Sequence, residues 1–378
     1  MPTWDIFCRV VDNFGDVGVC WRLSRQLANE RQQRVRLWID DVATLARIEP
    51  GIDATALEQS SNGVEIRRWT GDSIGGAIPH DVVIEAFACE TPLSFVEAMA
   101  ASGRCHAWIN LEYLSAERWV EDCHRLPSPH PRLPLVKHFF FPGFTSKSGG
   151  LLREDGLLAA RERFVADDSA RSARWRELGV AFPGKAITAS LFAYPNAAAL
   201  PLLSAWTRGP RPIVCVIPDG ILRDALARVF CDGVPAVGRP ASSGALTVVI
   251  VPFVPQPDFD RMLWDCDINF VRGEDSFVRA QWAAKPMVWH IYPQGDDAHR
   301  PKLEAFVGRY VWAMKIPMRE MVVKLFDAWN GQGNIAAAWG DIEPFLGRWT
   351  ADARQWSDTL ATQPDLVTQL EEMVETLL

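Results

Sequence analysis

The sequence has no apolar run approaching the roughly 20 residues needed to span a bilayer. Its start, Met1-Pro-Thr-Trp-Asp5, carries neither the basic region nor the apolar core of a secretory signal. A cytoplasmic location is the expectation. Positive charge is not in excess either: 39 Lys and Arg stand against 47 Asp and Glu, for a formal net charge of -8 and a pI near 5.5. A general nucleic-acid or membrane-surface binder needs clustered surplus cations, so both classes are excluded. Eight cysteines, at 8, 20, 89, 105, 123, 215, 231 and 266, form no C-x-x-C pair and no zinc framework. Free, mostly buried thiols and no metal site are predicted. There is no internal repeat, no low-complexity tract and no G-x-S-x-G nucleophile motif.

What is present is an ordinary globular composition, 48% hydrophobic and 23% charged, in a chain of 378 residues. That length exceeds one compact core and predicts two domains. The first forty residues read as a βαβ unit. Residues 6–11 are a strand, Val19, Leu23 and Leu27 line one face of a helix with Arg22, Arg25 and Glu30 off it, and residues 35–39 are a second strand. Strand-like runs recur at 81–87 and 107–111, then at 186–192, 212–217, 246–251, 268–271 and 286–291. Such alternation predicts α/β domains with doubly wound parallel sheets. The proline-rich segment 127–134, running into the aromatic and glycine-rich 139–150, reads as a long loop or domain edge. The tail from 342 is helical in pattern, broken at Gln363-Pro364. The predicted division is 1–155 with a returning helix at about 358–378, and 156–357. Two Rossmann-like domains facing a cleft, the glycosyltransferase B architecture, are the expected fold.

Ligands in doubly wound sheets bind at the carboxyl ends of strands, so the loop after strand one comes first. Asp12-Asn-Phe-Gly-Asp16 does not match G-x-G-x-x-G, which excludes a dinucleotide fingerprint. Its two carboxylates would repel a pyrophosphate. Either they face a cationic acceptor, or they cap the turn and the helix. In Arg272-Gly-Glu-Asp-Ser276 an apolar strand runs into a polar cluster and a helix start, a ready anion site. Arg272 suits a phosphate, Ser276 can donate a hydroxyl bond, and Glu274 or Asp275 can accept from sugar hydroxyls. Phe253, in a segment rigidified by three prolines, suits stacking on a base or filling a core gap. Tyr194 ends a predicted strand. His290 reads as a core histidine, and Asp40-Asp41 as a helix start.

These stretches, with Val83-Ile-Glu-Ala-Phe-Ala88, Glu112-Tyr-Leu-Ser-Ala-Glu117, Gly143-Phe-Thr-Ser-Lys-Ser-Gly-Gly150 and Trp289-His-Ile-Tyr-Pro-Gln294, resemble the EarP family. Its members are the arginine rhamnosyltransferases of bacterial elongation factor P. The likeness runs from about residue 5 to 300. It implies a metal-independent, inverting glycosyltransferase that takes dTDP-β-L-rhamnose as donor and one arginine of elongation factor P as acceptor, without a cofactor. Carried over by position, Asp16 becomes the general base and Asp12 the orienting carboxylate. The donor positions fall on Tyr194, Phe253, Gln256, Arg272, Glu274, Asp275 and Ser276, with Glu274 also counted as catalytic. Asn13 in the acidic loop and Glu85 and Glu112 at predicted strand ends are the expected acceptor contacts. Another nucleotide sugar, a small-molecule acceptor or a non-enzymatic binding module are the competing readings.

Overall fold

The computed structural model describes residues 1–378 except 12–13, 71–73, 75, 182–183 and 231–232. Asp12 and Asn13 therefore lie outside the described residues. The chain divides into two compact units, one formed by Met1–Asp155 with Leu360–Leu378 and the other by Gly156–Thr359.

The first unit holds β1 (Thr3–Cys8), β2 (Arg34–Ile39), β3 (Glu58–Ser61), β4 (Val64–Arg68), β5 (Val82–Ala86), β6 (Ala107–Leu111), β7 (Pro127–Pro129) and β8 (Val136–Phe140). They pair in the order β3-β4-β2-β1-β5-β6-β8-β7, and only β3–β4 and β7–β8 are antiparallel. The parallel part is a doubly wound sheet whose direction of winding reverses between β1 and β5.

β1 starts and stops three residues earlier than the apolar run predicts. At its start the Asp81 carboxylate accepts from the Thr3 amide and hydroxyl, each at 2.9 Å. At its end the Val10 and Val11 amides turn to the side chains of Asp40 and Asp16 instead of a neighbouring strand. Segment 127–140, expected as loop, adds the β7–β8 ribbon. Proline is tolerated there because β7 is an edge strand, which need not donate on both sides.

The helix Phe14–Asn29 packs Val17, Val19, Cys20, Leu23 and Leu27 inward as its spacing predicts. Arg22 is a correction: it is buried, because Glu154 meets its guanidinium at 3.1 Å. A second buried charge sits on β1 itself. Asp5 receives Arg36 through two bonds of 2.6 and 2.9 Å, together with the Trp38 indole and the His80 amide. Pairing and full hydrogen bonding make that burial tolerable.

The segment Gly143–Gly150 clasps the returning C-terminal helix Leu366–Leu377. Gln363 donates to the Phe144 carbonyl at 3.1 Å and the Leu366 amide to the Leu151 carbonyl at 3.0 Å. A Cβ on Gly149 would lie 2.1 Å from the Phe140 ring, and one on Gly150, at φ +66°, 2.6 Å from the Pro364 carbonyl oxygen. These glycines are demanded by close approach.

The second unit holds β9 (Ile187–Leu191), β10 (Ile213–Pro218), β11 (Ala241–Ser243), β12 (Leu246–Val251), β13 (Ile268–Arg272) and β14 (Met287–His290), ordered β11-β12-β10-β9-β13-β14. All pairs are parallel except β11–β12. The winding reverses between β9 and β13. Among the described residues no helix is long and apolar enough to cross a membrane.

Candidate active site

Asp16 lies at the switch point of the first sheet and Arg272–Ser276 at that of the second, while Phe253 and Gln256 follow β12, away from it. In the first unit, Asp16 lies in the first turn of the helix that follows β1 and is fully buried. Its Oδ2 accepts from the Val11 amide at 2.9 Å, and its Oδ1 accepts from the Tyr113 hydroxyl at 3.3 Å. One oxygen thus ties the loop to the helix, as a cap would, while the other faces the end of β6. On the far side of the switch point, Phe87 and Ala88 follow β5 with φ of +57° and +54°. L-residues seldom adopt that conformation, and where they do it clusters at functional sites. It is held by the Phe87 amide donating to the Leu111 carbonyl at 2.6 Å. The Phe87 ring then stacks on Tyr113, with centroids 4.5 Å apart and planes 19° from parallel.

Glu85 and Glu112 take different positions. Glu112 is half-buried after β6 and accepts from the Asn110 amide at 2.5 Å. Glu85 is buried, and its Oε2 meets Lys137 at 2.8 Å, with the ammonium over the Trp108 ring. Its carboxylate is committed inward, to the packing between β5 and β8.

In the second unit, β13 ends at Arg272, and Gly273, at φ +60°, turns the chain into the helix Asp275–Ala283. Glycine takes that φ without steric cost. The Arg272 guanidinium carbon lies 4.4 Å from the Phe192 ring centroid and 4.7 Å from that of Tyr194, and its Nη1 donates to the Ala193 carbonyl at 3.4 Å. Two aromatic faces on the loop after β9 therefore hold one cation across the switch point. Tyr194 also meets the rings of His290 and Tyr292 edge-on, at 5.5 and 5.3 Å. The Ser276 hydroxyl donates to the Arg272 carbonyl and accepts from the Arg272 amide, so it shapes this turn. Glu274 is buried beside it and Asp275 stands in the helix's first turn.

Segment 251–258 is extended only up to Pro255. Gln256 begins the helix Gln256–Asp265 and is buried, while Phe253 is half-buried in the loop before it. Asp260 of that helix receives Arg279 through two bonds of 2.9 and 2.7 Å. The buried pair locks the helix behind Phe253 and Gln256 to the helix behind Arg272–Ser276. Nothing local in the sequence marks it. Phe192 and Tyr292 were likewise missed, since single aromatics have the ordinary appearance of core residues.

His290 is buried, and burial, helped by the Arg272 charge, pushes its pKa down to about 4. Burial and the neighbouring Arg125 do the same to His124 in the first unit, again to about 4. A histidine lowered in the folded state stabilises fully above the unfolded value of 6.5 and loses that contribution as pH falls toward 4. The melting temperature should therefore drop between those limits, with a shallower drop for His290→Gln; identical slopes would refute the assignment. Asp41 caps the helix Val42–Ile48, accepting from the Thr44 amide. Cys8, Cys20, Cys89, Cys215 and Cys266 are buried free thiols, while Cys105 is exposed and Cys123 half-buried. Burial raises the pKa of Cys89 and Cys215, which removes thiolate character. Among the described residues no three His, Cys, Asp or Glu side chains are grouped to hold a metal ion.

The model of the elongation factor P rhamnosyltransferase family EarP matches residues 4–375. A protein-arginine rhamnosyltransferase of Pseudomonas putida KT2440 is 48% identical over 368 residues, 97% of each chain. One of Pseudomonas aeruginosa PAO1 is 46% identical over 374 residues, 98% of each chain. A solved structure concerning EarP-mediated arginine glycosylation of translation elongation factor EF-P superposes with a TM-score of 0.72 at 36% identity, covering all of both chains. The spinosyn rhamnosyltransferase SpnG, at 12% identity and a TM-score of 0.51, shares the fold alone, 98% of this chain against 99% of that one. The fold class is that of the B-type glycosyltransferases, and the chain belongs to the elongation factor P rhamnosyltransferase family, EarP.

Proposed function

We propose that this protein transfers L-rhamnose from dTDP-β-L-rhamnose to an arginine side chain of elongation factor P, with inversion at the anomeric carbon. The observation that carries this reading is Asp16, a carboxylate at the switch point of the first unit with both oxygens already oriented. A guanidinium nitrogen attacks the anomeric carbon, and the new C–N bond forms as the C–O bond to the diphosphate breaks. The nitrogen's proton passes to Asp16, and dTDP leaves with the bonding electrons. By the family resemblance Asp12 helps hold the guanidinium fork, and Asn13 and Glu112 take part in binding the acceptor. The ion pair of the buried Glu85 with the half-buried Lys137 supports a role for Glu85 in shaping that side rather than in touching the acceptor.

Charge building on the departing diphosphate is met by Arg272 and by the first-turn amides of the helix Asp275–Ala283, including that of Ser276. These supply the positive charge that a metal ion supplies in other glycosyltransferases. Glu274 and Asp275 accept from the sugar hydroxyls, Phe253 stacks on the thymine, and Tyr194 and Gln256 complete the donor side. We place the protein in the cytoplasm, where this acceptor is made.

Incubating the protein with dTDP-β-L-rhamnose and purified elongation factor P should add one deoxyhexose mass to a single arginine-containing peptide. Transfer only from a different nucleotide sugar, or donor binding with no product, would overturn the reading.

A further inference from the structure

We infer that Tyr113 is a positioning residue for the reaction, fixing the carboxylate of Asp16 through its hydroxyl. The inference rests on Asp16 acting as the base.

A carboxylate that is to take a proton during bond formation must present one lone pair in one direction, and rotation about its Cβ–Cγ bond would spoil that. Two hydrogen bonds, one to each oxygen, stop the rotation. The Val11 amide at 2.9 Å holds Oδ2 from the loop, and the Tyr113 hydroxyl at 3.3 Å holds Oδ1 from the end of β6. The second bond is the one that reaches across the sheet. Its donor stands two residues beyond β6, 97 positions along the chain from Asp16, so it registers Asp16 against the end of that strand.

The hydroxyl is itself held in place. The Tyr113 ring lies flat on Phe87, 4.5 Å away, and Phe87 occupies a left-handed backbone conformation at the end of β5. The chain bears that conformation because the Phe87 amide reaches the Leu111 carbonyl at 2.6 Å, two residues before Tyr113. The strained residue, the stacked ring and the hydroxyl form one continuous support under the carboxylate, built from three neighbouring strands.

Two effects of the hydroxyl separate in experiment. It orients Oδ1, and it stabilises the ionised carboxylate, which lowers the acidity limit of the base. In Tyr113→Phe the ring and its stack remain. We expect kcat to fall by about tenfold, with the donor KM unchanged. The acidic limb of the pH–rate profile should move upward, because the ionised form has lost a donor. Phe87→Gly keeps the positive φ but removes the stack, and should lower kcat in the same way with a smaller shift of the limb. Rates are read from rhamnosylation of elongation factor P with dTDP-β-L-rhamnose, and the melting temperature of each variant is taken alongside.

A Tyr113→Phe enzyme with wild-type kcat and an unmoved acidic limb would overturn the inference. So would a loss of activity that follows only the melting temperature. Asp16→Asn is run in parallel. If that variant remains active, the base assignment itself fails. If it is inactive while Tyr113→Phe is normal, only the role of Tyr113 falls.

Discussion

Asp16→Asn is expected to lower arginine rhamnosylation by about a thousandfold without unfolding the protein. The amide has the size of the carboxylate. Its oxygen can still accept from the Val11 amide, and its Nδ2 can face the Tyr113 hydroxyl oxygen, so the loop keeps its anchor. What is lost is the ability to take a proton. A guanidinium gives up its proton far less readily than a carboxyl group does, by roughly nine pK units or about 12 kcal/mol. Asp16 therefore cannot hold a deprotonated arginine beforehand. It can only receive the proton as the C–N bond forms and the nitrogen's acidity rises, and asparagine offers no basic site at that moment. Initial rates by mass spectrometry decide the matter. Turnover within a few fold of wild type would remove Asp16 from the mechanism.

Arg272→Ala is expected to weaken dTDP binding measurably and to lower turnover by about a hundredfold or more, the scale seen when one preorganised charge-stabilising group is removed. The guanidinium is held against Phe192 and Tyr194, its carbon 4.4 and 4.7 Å from their ring centroids, which limits the ordering a diphosphate must impose on it. Lysine should restore little. Its ammonium cannot lie flat between two rings or make a bidentate contact to phosphate. Calorimetric titration with dTDP checks the first effect and saturating-donor kinetics the second. Unchanged affinity together with unchanged turnover would show that the diphosphate is met elsewhere.

Both variants concern groups that the sequence marked, and the reason is local. Arg272-Gly-Glu-Asp-Ser276 packs a cation, a turn-forming glycine and three polar side chains between an apolar strand and a helix, a combination with few other uses. Asp16 was marked by position, in the first loop of a βαβ unit. The groups that hold these two were not visible. Phe87 and Tyr113 fall within stretches that carry the family resemblance, but nothing local gives them, Phe192 or the Asp260–Arg279 pair a role. An aromatic residue beside a strand is most often core, and a buried ion pair joins residues whose separation in sequence says nothing of their contact. Arg22 shows the same limit, since a charged residue off the helical stripe is read as exposed until its partner is known. The β7–β8 ribbon was taken for loop because prolines suppress the strand signal, while the tolerance of an edge strand for them depends on which neighbours it has.

By itself the sequence determined the alternation of strands and helices, hence the doubly wound class, and the two polar loops able to do chemistry. Periodicity and turn residues are short-range properties and are readable along the chain. Only the tertiary structure decided how those loops are made rigid. The hydroxyl on Asp16 comes from the segment after β6, 97 positions along the chain, and the rings beside Arg272 come from the loop after β9, across a switch point that exists only once β9 and β13 pair. Orientation of a reactive group is a property of contacts between distant segments, and folding alone brings those segments together.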